Sequence, residues 1–369
     1  MSLYENQDIL AVAKKFDIEG EVVGIKRFGS GHINDTFKLE TSDAAHSYLL
    51  QRINHHIFAN VEGLMNNIDL VTNHLKSVLA SEVEDVNKHT LTIIPCLDGT
   101  KFCQDQEGDY WRVFILLDGT KSYDIVETTK QAFSGGQAFG KFQKQLATLD
   151  ATKLVEILPN FHNIDFRLGN LKTAIRENKA NRVSSVQEIL DYIAAREEKM
   201  RNIVKMAAAG ELPLRITHND TKFNNVLLDQ DDNVQCVIDL DTVMPGYIAY
   251  DFGDAIRTII NSAAEDEKDL DKVVLNVPLF QAYAEGYLSE AKEFLTDKEI
   301  ESLWYGTLLL PYMQAVRFLT DYIDGDLYYK IHYPEHNLVR THSQIKLVKE
   351  LEAAESELKA ILESSLVNA

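Results

Sequence analysis

His218, Asp220 and Asn225 follow the order His-x-Asp-x-x-x-x-Asn, and a further aspartate, Asp239, lies in Val237-Ile238-Asp239-Leu240-Asp241. Two carboxylates and a carboxamide at this spacing suit transfer of the terminal phosphoryl group of ATP. That reaction asks little covalent chemistry of a protein. It needs a carboxylate to orient and deprotonate the attacking hydroxyl, and oxygen ligands to hold Mg²⁺ against the phosphates. Asp220 fits the first role, with His218 beside it in the catalytic loop. Asn225 and Asp239 fit the second, because Mg²⁺ takes a few hard protein oxygens and completes its shell from phosphate and water. Across the eleven histidines of the chain, three fixed positions give roughly 0.03 chance occurrences.

Such groups need elements to hold them. Leu214-Arg215-Ile216, Val226-Leu227-Leu228 and Cys236-Val237-Ile238 are short apolar runs, and Asp229 to Asn233 is a polar turn. The pattern predicts a loop leading into a hairpin, with Asp239 at its far end. Upstream, strands over Glu21 to Phe28 and Asn34 to Leu39 flank Gly29-Ser30-Gly31. A Gly-x-Gly there lets backbone amides approach phosphates; the plainer alternative is a tight hairpin turn. Tyr48 to Ile53 reads as a third strand, where a kinase carries a phosphate-pairing lysine. None is present, which leaves Gln51 or Arg52 for that role. Glu62 to Leu79 has helical spacing, and Leu91 to Ile94 and Lys101 to Phe102 flank an Asp98-Gly99 turn. Trp111 to Leu117 is an apolar strand at which a two-lobed kinase crosses between lobes, so the backbone of Phe114, Ile115, Leu116 and Leu117 is expected to meet adenine.

Past residue 118 the periodicity is helical. Phe133 to Leu149 carries one apolar face, Ser185-Val186-Gln187-Glu188 reads as a capping box opening another helix, and a long helix runs to the C-terminus through Ile345 and Ile361. The expected fold is α+β and bilobal, protein-kinase-like: a small antiparallel-sheet lobe for the nucleotide over residues 1–117, and a larger, mainly helical lobe for catalysis and the acceptor over residues 118–369. Asp251-Phe252-Gly253 lies too late in the chain to be the metal aspartate of a protein kinase; Asp251 and Asp254 there are expected to brace the catalytic loop.

Composition narrows the partners. The chain has 369 residues, 45% hydrophobic and 25% charged, with a formal charge of −20. That describes a soluble globular protein and argues against nucleic acid or an anionic membrane as partner. Three cysteines form no metal-ligand spacing and read as reduced thiols. No signal peptide or membrane span is evident, so a cytoplasmic monomer or weak homo-oligomer is expected.

The catalytic loop, the Ile-Asp segment and the later Asp-bearing helix start, in this order, resemble the aminoglycoside phosphotransferase and choline kinase-like superfamily. Phe28-Gly29-Ser30-Gly31-His32-Ile33-Asn34, Tyr48-Leu49-Leu50-Gln51, Thr217 to Lys222, Ile238 to Gly246, Arg317-Phe318-Leu319 and Tyr333 to Thr341 resemble the N-acetylhexosamine 1-kinase family, nearly end to end. The missing third-strand lysine is shared with that family. The resemblance implies ATP-dependent phosphorylation, with Mg²⁺, of the anomeric hydroxyl of N-acetylglucosamine or N-acetylgalactosamine. It also implies sugar contacts at His32, Asp241, Arg317 and Tyr328. Arg317 and Asp321 are spaced for an ion pair on one helix face, which is the structural alternative for that arginine. The competing functions are a kinase of the same fold acting on choline, homoserine or an aminoglycoside, and a nucleotide-binding scaffold without turnover.

Overall fold

The computed structural model describes residues 6–29, 33–42, 46–261 and 263–368. Helix α1 (Asn6–Ala13) precedes strands β1 (Val22–Arg27), β2 (Asp35–Thr41) and β3 (Tyr48–Ile53); α2 (Val61–Leu79) leads to β4 (Ile93–Ile94), β5 (Cys103–Gln104) and β6 (Tyr110–Ile115). Helices α3 (Thr129–Leu146), α4 (Ile164–Glu177), α5 (Gln187–Ala194), α6 (Glu197–Met200) and α7 (Asn202–Ala208) follow. Short strands come next: β7 (Arg215–Thr217), β8 (Val226–Leu228), β9 (Val234–Val237) and β10 (Met244–Gly246). Helices α8 (Ile248–Ile259), α9 (Val277–Ala291), α10 (Asp297–Asp324), α11 (His336–Ala353) and α12 (Glu355–Asn368) complete the chain. The α+β architecture agrees with the expectation: an antiparallel sheet near the N-terminus and a mostly helical remainder.

The chain forms two compact units, one of residues 1–122, 148–158 and 226–244, the other of residues 123–147, 159–225 and 245–369. In the first, the sheet order is β1-β2-β3-β6-β4, with β5 also on β6. Period-two alternation buries one side of it: Phe37, Leu39, Tyr48, Leu50, Trp111 and Val113 form a core with Ile9, Val12 and Phe16. The two strands flanking Asp98-Gly99 both pair with β6 rather than with each other. Asn60 caps α2 by accepting from the Gly63 amide at 2.9 Å. From α2, buried Asn67 donates to the carbonyls of Val155 at 2.8 Å and Val243 at 2.9 Å, tying the two later segments into this unit.

The second unit is built on close helix pairs. A Cβ on Gly306 of α10 would lie 1.9 Å from the Ala249 carbonyl oxygen of α8, and one on Gly253 would lie 2.2 Å from the Gly306 oxygen. The backbones of α8 and α10 therefore touch directly, which fixes α8 as a platform. Two helix expectations are corrected here. Ser185 caps nothing: its hydroxyl donates to the Arg182 carbonyl at 2.8 Å, Val183–Val186 forms a 3₁₀ turn, and the helical stretch splits into α5, α6 and α7. The C-terminal helix breaks at Ala354, where Arg196 holds Glu352 at 2.9 Å and Trp304 donates to Glu355 at 3.1 Å. At Ala354 tertiary contacts override local propensity, while at Ser185 a local bond replaces the cap. Among the described residues, no helix is long and apolar enough to cross a membrane.

Candidate active site

Strand β7 delivers the chain into the loop at His218. Asn219 takes a left-handed backbone (φ 65), a conformation asparagine tolerates because its short amide bonds locally. That amide does so here, accepting from the Thr217 hydroxyl at 3.0 Å and donating to the Thr217 carbonyl at 3.1 Å. The loop is then clamped from α8. The Asp251 carboxylate accepts from the backbone amides of His218 at 2.8 Å and Asn219 at 2.7 Å, and from Gln143 at 2.7 Å. Asp254 accepts from the Thr221 amide at 3.0 Å, and the Thr221 hydroxyl donates to the Asp251 carbonyl at 2.7 Å. Both aspartates thus brace the loop that carries Asp220, as the sequence leads one to expect.

The buried His218 ring sits edge-on to Phe139 and Phe142, with centroids 5.6 and 5.9 Å away. Its Nδ1 accepts from the Asp220 amide at 3.3 Å, so the ring shapes the backbone that presents Asp220. The Asp220 carboxylate is half-buried, with Lys222 Nζ 2.8 Å from Oδ1. Asn225 Nδ2 donates to the Asp220 carbonyl at 2.8 Å and lies 3.4 Å from its Oδ2. With its nitrogen tied down, Asn225 offers Oδ1 as an oxygen ligand, which suits a hard cation. Burial works against the Lys222 charge, but the Asp220 carboxylate outweighs it and holds the ammonium above its ordinary value. Burial likewise opposes the Asp254 charge, while Arg257, His162 and Lys222 prevail and hold that carboxyl below its ordinary value.

In the other unit, Asp239 ends the β8–β9 hairpin in a left-handed conformation (φ 59), exposed, at the start of the buried turn Leu240–Thr242. Asp241, two residues on, is buried. Its Oδ1 is 2.6 Å from Arg112 Nη1, an ion pair by distance though not aligned as a hydrogen bond, and its Oδ2 accepts from Asn34 at 2.7 Å. Arg112 in turn donates from Nε to Gln51 at 3.0 Å, and Gln51 donates to the Thr36 hydroxyl at 3.1 Å. Arg52 is committed to Asp35 and, at 3.1 Å, to Asp109. The buried cation beside the third strand is therefore Arg112, on β6 opposite Gln51.

Gly29 is left-handed (φ 76), with open space where a Cβ would lie. Ser30, Gly31 and His32 lie outside the described residues. Phe114 is buried in the sheet; the Ile115 amide donates to Thr92 at 3.0 Å and that of Leu116 to Ser47 at 2.9 Å, while the Leu117 carbonyl accepts from Thr120 at 2.8 Å.

Arg317 does not pair with Asp321. It donates to Gln314 at 3.0 Å, and its guanidinium lies 5.8 Å from the Phe161 ring centroid and 5.6 Å from that of Tyr329. Asp321 is occupied by the amides of Leu327, Tyr328 and Tyr329 and by Asn337. The Tyr328 side chain is exposed. Two charged side chains, one in each unit, were missed in the sequence. Lys222 was signalled by Asp-x-Lys spacing, and Arg112 by a lone charge inside an apolar strand.

The profile of the phosphotransferase enzyme family matches residues 24–291. Among solved structures, an aminoglycoside phosphotransferase from Alicyclobacillus acidocaldarius is similar at a TM-score of 0.59 and 11% identity, over 99% of this chain and 96% of that one. A choline kinase from Cryptosporidium parvum is similar at 0.56 and 16%, over 97% and 98%. A spectinomycin phosphotransferase, solved with ADP and spectinomycin, is similar at 0.54 and 15%, over 94% and 95%. At these identities the likeness is one of fold.

Proposed function

Since the chain belongs to the phosphotransferase enzyme family, we propose that it transfers the terminal phosphoryl group of ATP to the anomeric hydroxyl of an N-acetylhexosamine, forming the sugar 1-phosphate. Asp220 orients that hydroxyl and takes its proton as the oxygen–phosphorus bond forms and ADP leaves. An anomeric hydroxyl is more acidic than an ordinary alcohol, so a carboxylate is a sufficient base. Lys222 keeps a positive charge beside the reacting oxygens. Asn225 and Asp239 would be the oxygen ligands for Mg²⁺, which would supply charge neutralisation at the phosphates. Arg317 and Tyr328 contact the sugar, whose buried hydroxyls need partners. Asp241, held by Arg112 and Asn34, steadies the segment that bears Asp239.

The observation that carries this reading is the Asp220 carboxylate, held beside Lys222 and Asn225 on a loop clamped to α8. The sugar itself rests on the family resemblance. The test is an acceptor panel with Mg·ATP, in which phosphorus NMR locates the new phosphate. Phosphate on the anomeric oxygen of N-acetylglucosamine or N-acetylgalactosamine is expected. Transfer to choline, ethanolamine or an aminoglycoside, with none to the N-acetyl sugars, would overturn it.

A further inference from the structure

Beside the catalytic loop, the second unit holds two guanidinium groups with no acidic partner. Arg167, on α4, donates from Nη2 to the Phe161 carbonyl at 2.9 Å and lies 5.5 Å from the Phe166 ring centroid. Its Nε is closed off from water with no hydrogen-bond acceptor. Arg317, on α10, has only Gln314 and the faces of Phe161 and Tyr329. Among the described residues, neither arginine has a carboxylate within 4.0 Å, although ion pairs are common elsewhere in the chain. The nearby acids are already engaged: Asp165 with Arg201 at 2.7 Å, and Asp254 and Glu265 with Arg257, each at 3.1 Å.

The two charges sense each other. Burial, then the like charge of Arg317, pull Arg167 down to about 10, which still leaves it charged at neutral pH. Burial pushes His162 down to about 4, and both arginines add to that effect, so His162 is neutral. Its Nε2 is 3.2 Å from the Asn219 carbonyl, the residue before Asp220. A neutral imidazole facing a carbonyl must be the donor, so Nε2 carries the proton. Through His162 the arginine pair stands next to the loop that carries the base.

We propose that Arg167, together with Arg317, determines acceptor specificity by excluding cations and offering donors to an uncharged, oxygen-rich acceptor. This rests on the acceptor being bound beside Asp220, as in the function proposed above. A cation brought to this face meets two uncompensated positive charges in a partly desolvated setting, where like-charge juxtaposition is costly. Hydroxyl and acetamido oxygens instead meet planar N–H forks, with aromatic rings beside them. The choline kinase of similar fold takes a cationic alcohol; this surface has the opposite preference.

The test uses two matched acceptor pairs at pH 6.5 with Mg·ATP: N-acetylglucosamine against glucosamine, and 3,3-dimethylbutan-1-ol against choline. For each pair the neutral-to-cationic ratio of kcat/KM is measured in the wild type, Arg167→Gln and Arg167→Lys. Where transfer is absent, calorimetric affinity beside a non-hydrolysable ATP analogue gives the same ratio. The wild type is expected to prefer the neutral member. Arg167→Gln narrows the ratio about tenfold by gain of the cation, and Arg167→Lys keeps it within about twofold. An unchanged ratio in Arg167→Gln that binds ATP normally overturns the inference and leaves the sugar reading intact. A wild type that prefers the cation or binds neither member also overturns the inference, and where N-acetylglucosamine is not used it removes the sugar reading as well. Preference for the neutral dimethylbutanol, with no use of N-acetyl sugars, removes the sugar reading alone.

Discussion

The two segments that carry the key oxygen groups are held by different means. In the second unit, the Asp220 loop hangs on carboxylates that accept from its backbone: Asp251 takes the amides of His218 and Asn219, and Asp254 that of Thr221. In the first, the Asp239 segment is pinned by a side-chain ion pair, Arg112 with Asp241, completed by Asn34. The first arrangement sets the path of the main chain whatever the loop's side chains are. The second depends on two particular side chains finding each other across the sequence. The backbone clamp therefore has no substitute partner, whereas the buried pair can be exchanged as a unit.

Asp251→Ala breaks the first device. It strands two buried amides and the Gln143 side chain, and is expected to lower stability by about 4 kcal/mol while abolishing turnover. Denaturant unfolding together with an ATP-coupled assay measures both, and no second substitution nearby should restore them. Arg112→Met breaks the other by leaving the Asp241 carboxylate buried without its cation, at a cost of about 3 kcal/mol. The double variant Arg112→Met with Asp241→Leu should recover most of that loss, since a buried ion pair replaced by apolar groups is often neutral. A double variant as unstable as the sum of its singles would erase the distinction between the two devices.

His162 gives a smaller, pH-dependent contrast. Its ordinary value of 6.5 falls to about 4 in the fold because of burial. The unfolded chain thus takes a proton that the folded one refuses as pH drops from 6.5 toward 4. Stability from this residue is complete above that window and is lost within it, by roughly 2 kcal/mol. In His162→Phe the slope over this window should flatten, as followed by thermal unfolding at stepped pH.

The catalytic loop was legible because its chemistry is local: His218, Asp220 and Asn225 sit within eight residues, and α8 follows soon after with Asp251 and Asp254. The sheet was legible from alternation around Leu50 and Val113. Arg112 was not, because its partner Asp241 is far along the chain and only the fold brings the two together. A local reason hid the lack of an acidic partner at Arg317: helical spacing offered Asp321, but three backbone amides of the following turn claim that carboxylate first. At Ser185 the capping rule failed because the hydroxyl bonds back to the Arg182 carbonyl within a 3₁₀ turn, and at Ala354 continuity failed where distant contacts, such as Glu352 with Arg196, outweigh a few tenths of a kcal/mol of local preference.

The central claim is that Asp220 is the base, presented by a clamped loop and distinct from the metal ligands. Single-turnover phosphorylation by Asp220→Asn, measured beside its affinity for Mg·ATP, tests this directly. The rate should fall by about a thousandfold or more, with nucleotide affinity within about twofold of wild type. A rate close to wild type, or a matching collapse of nucleotide binding, would contradict it.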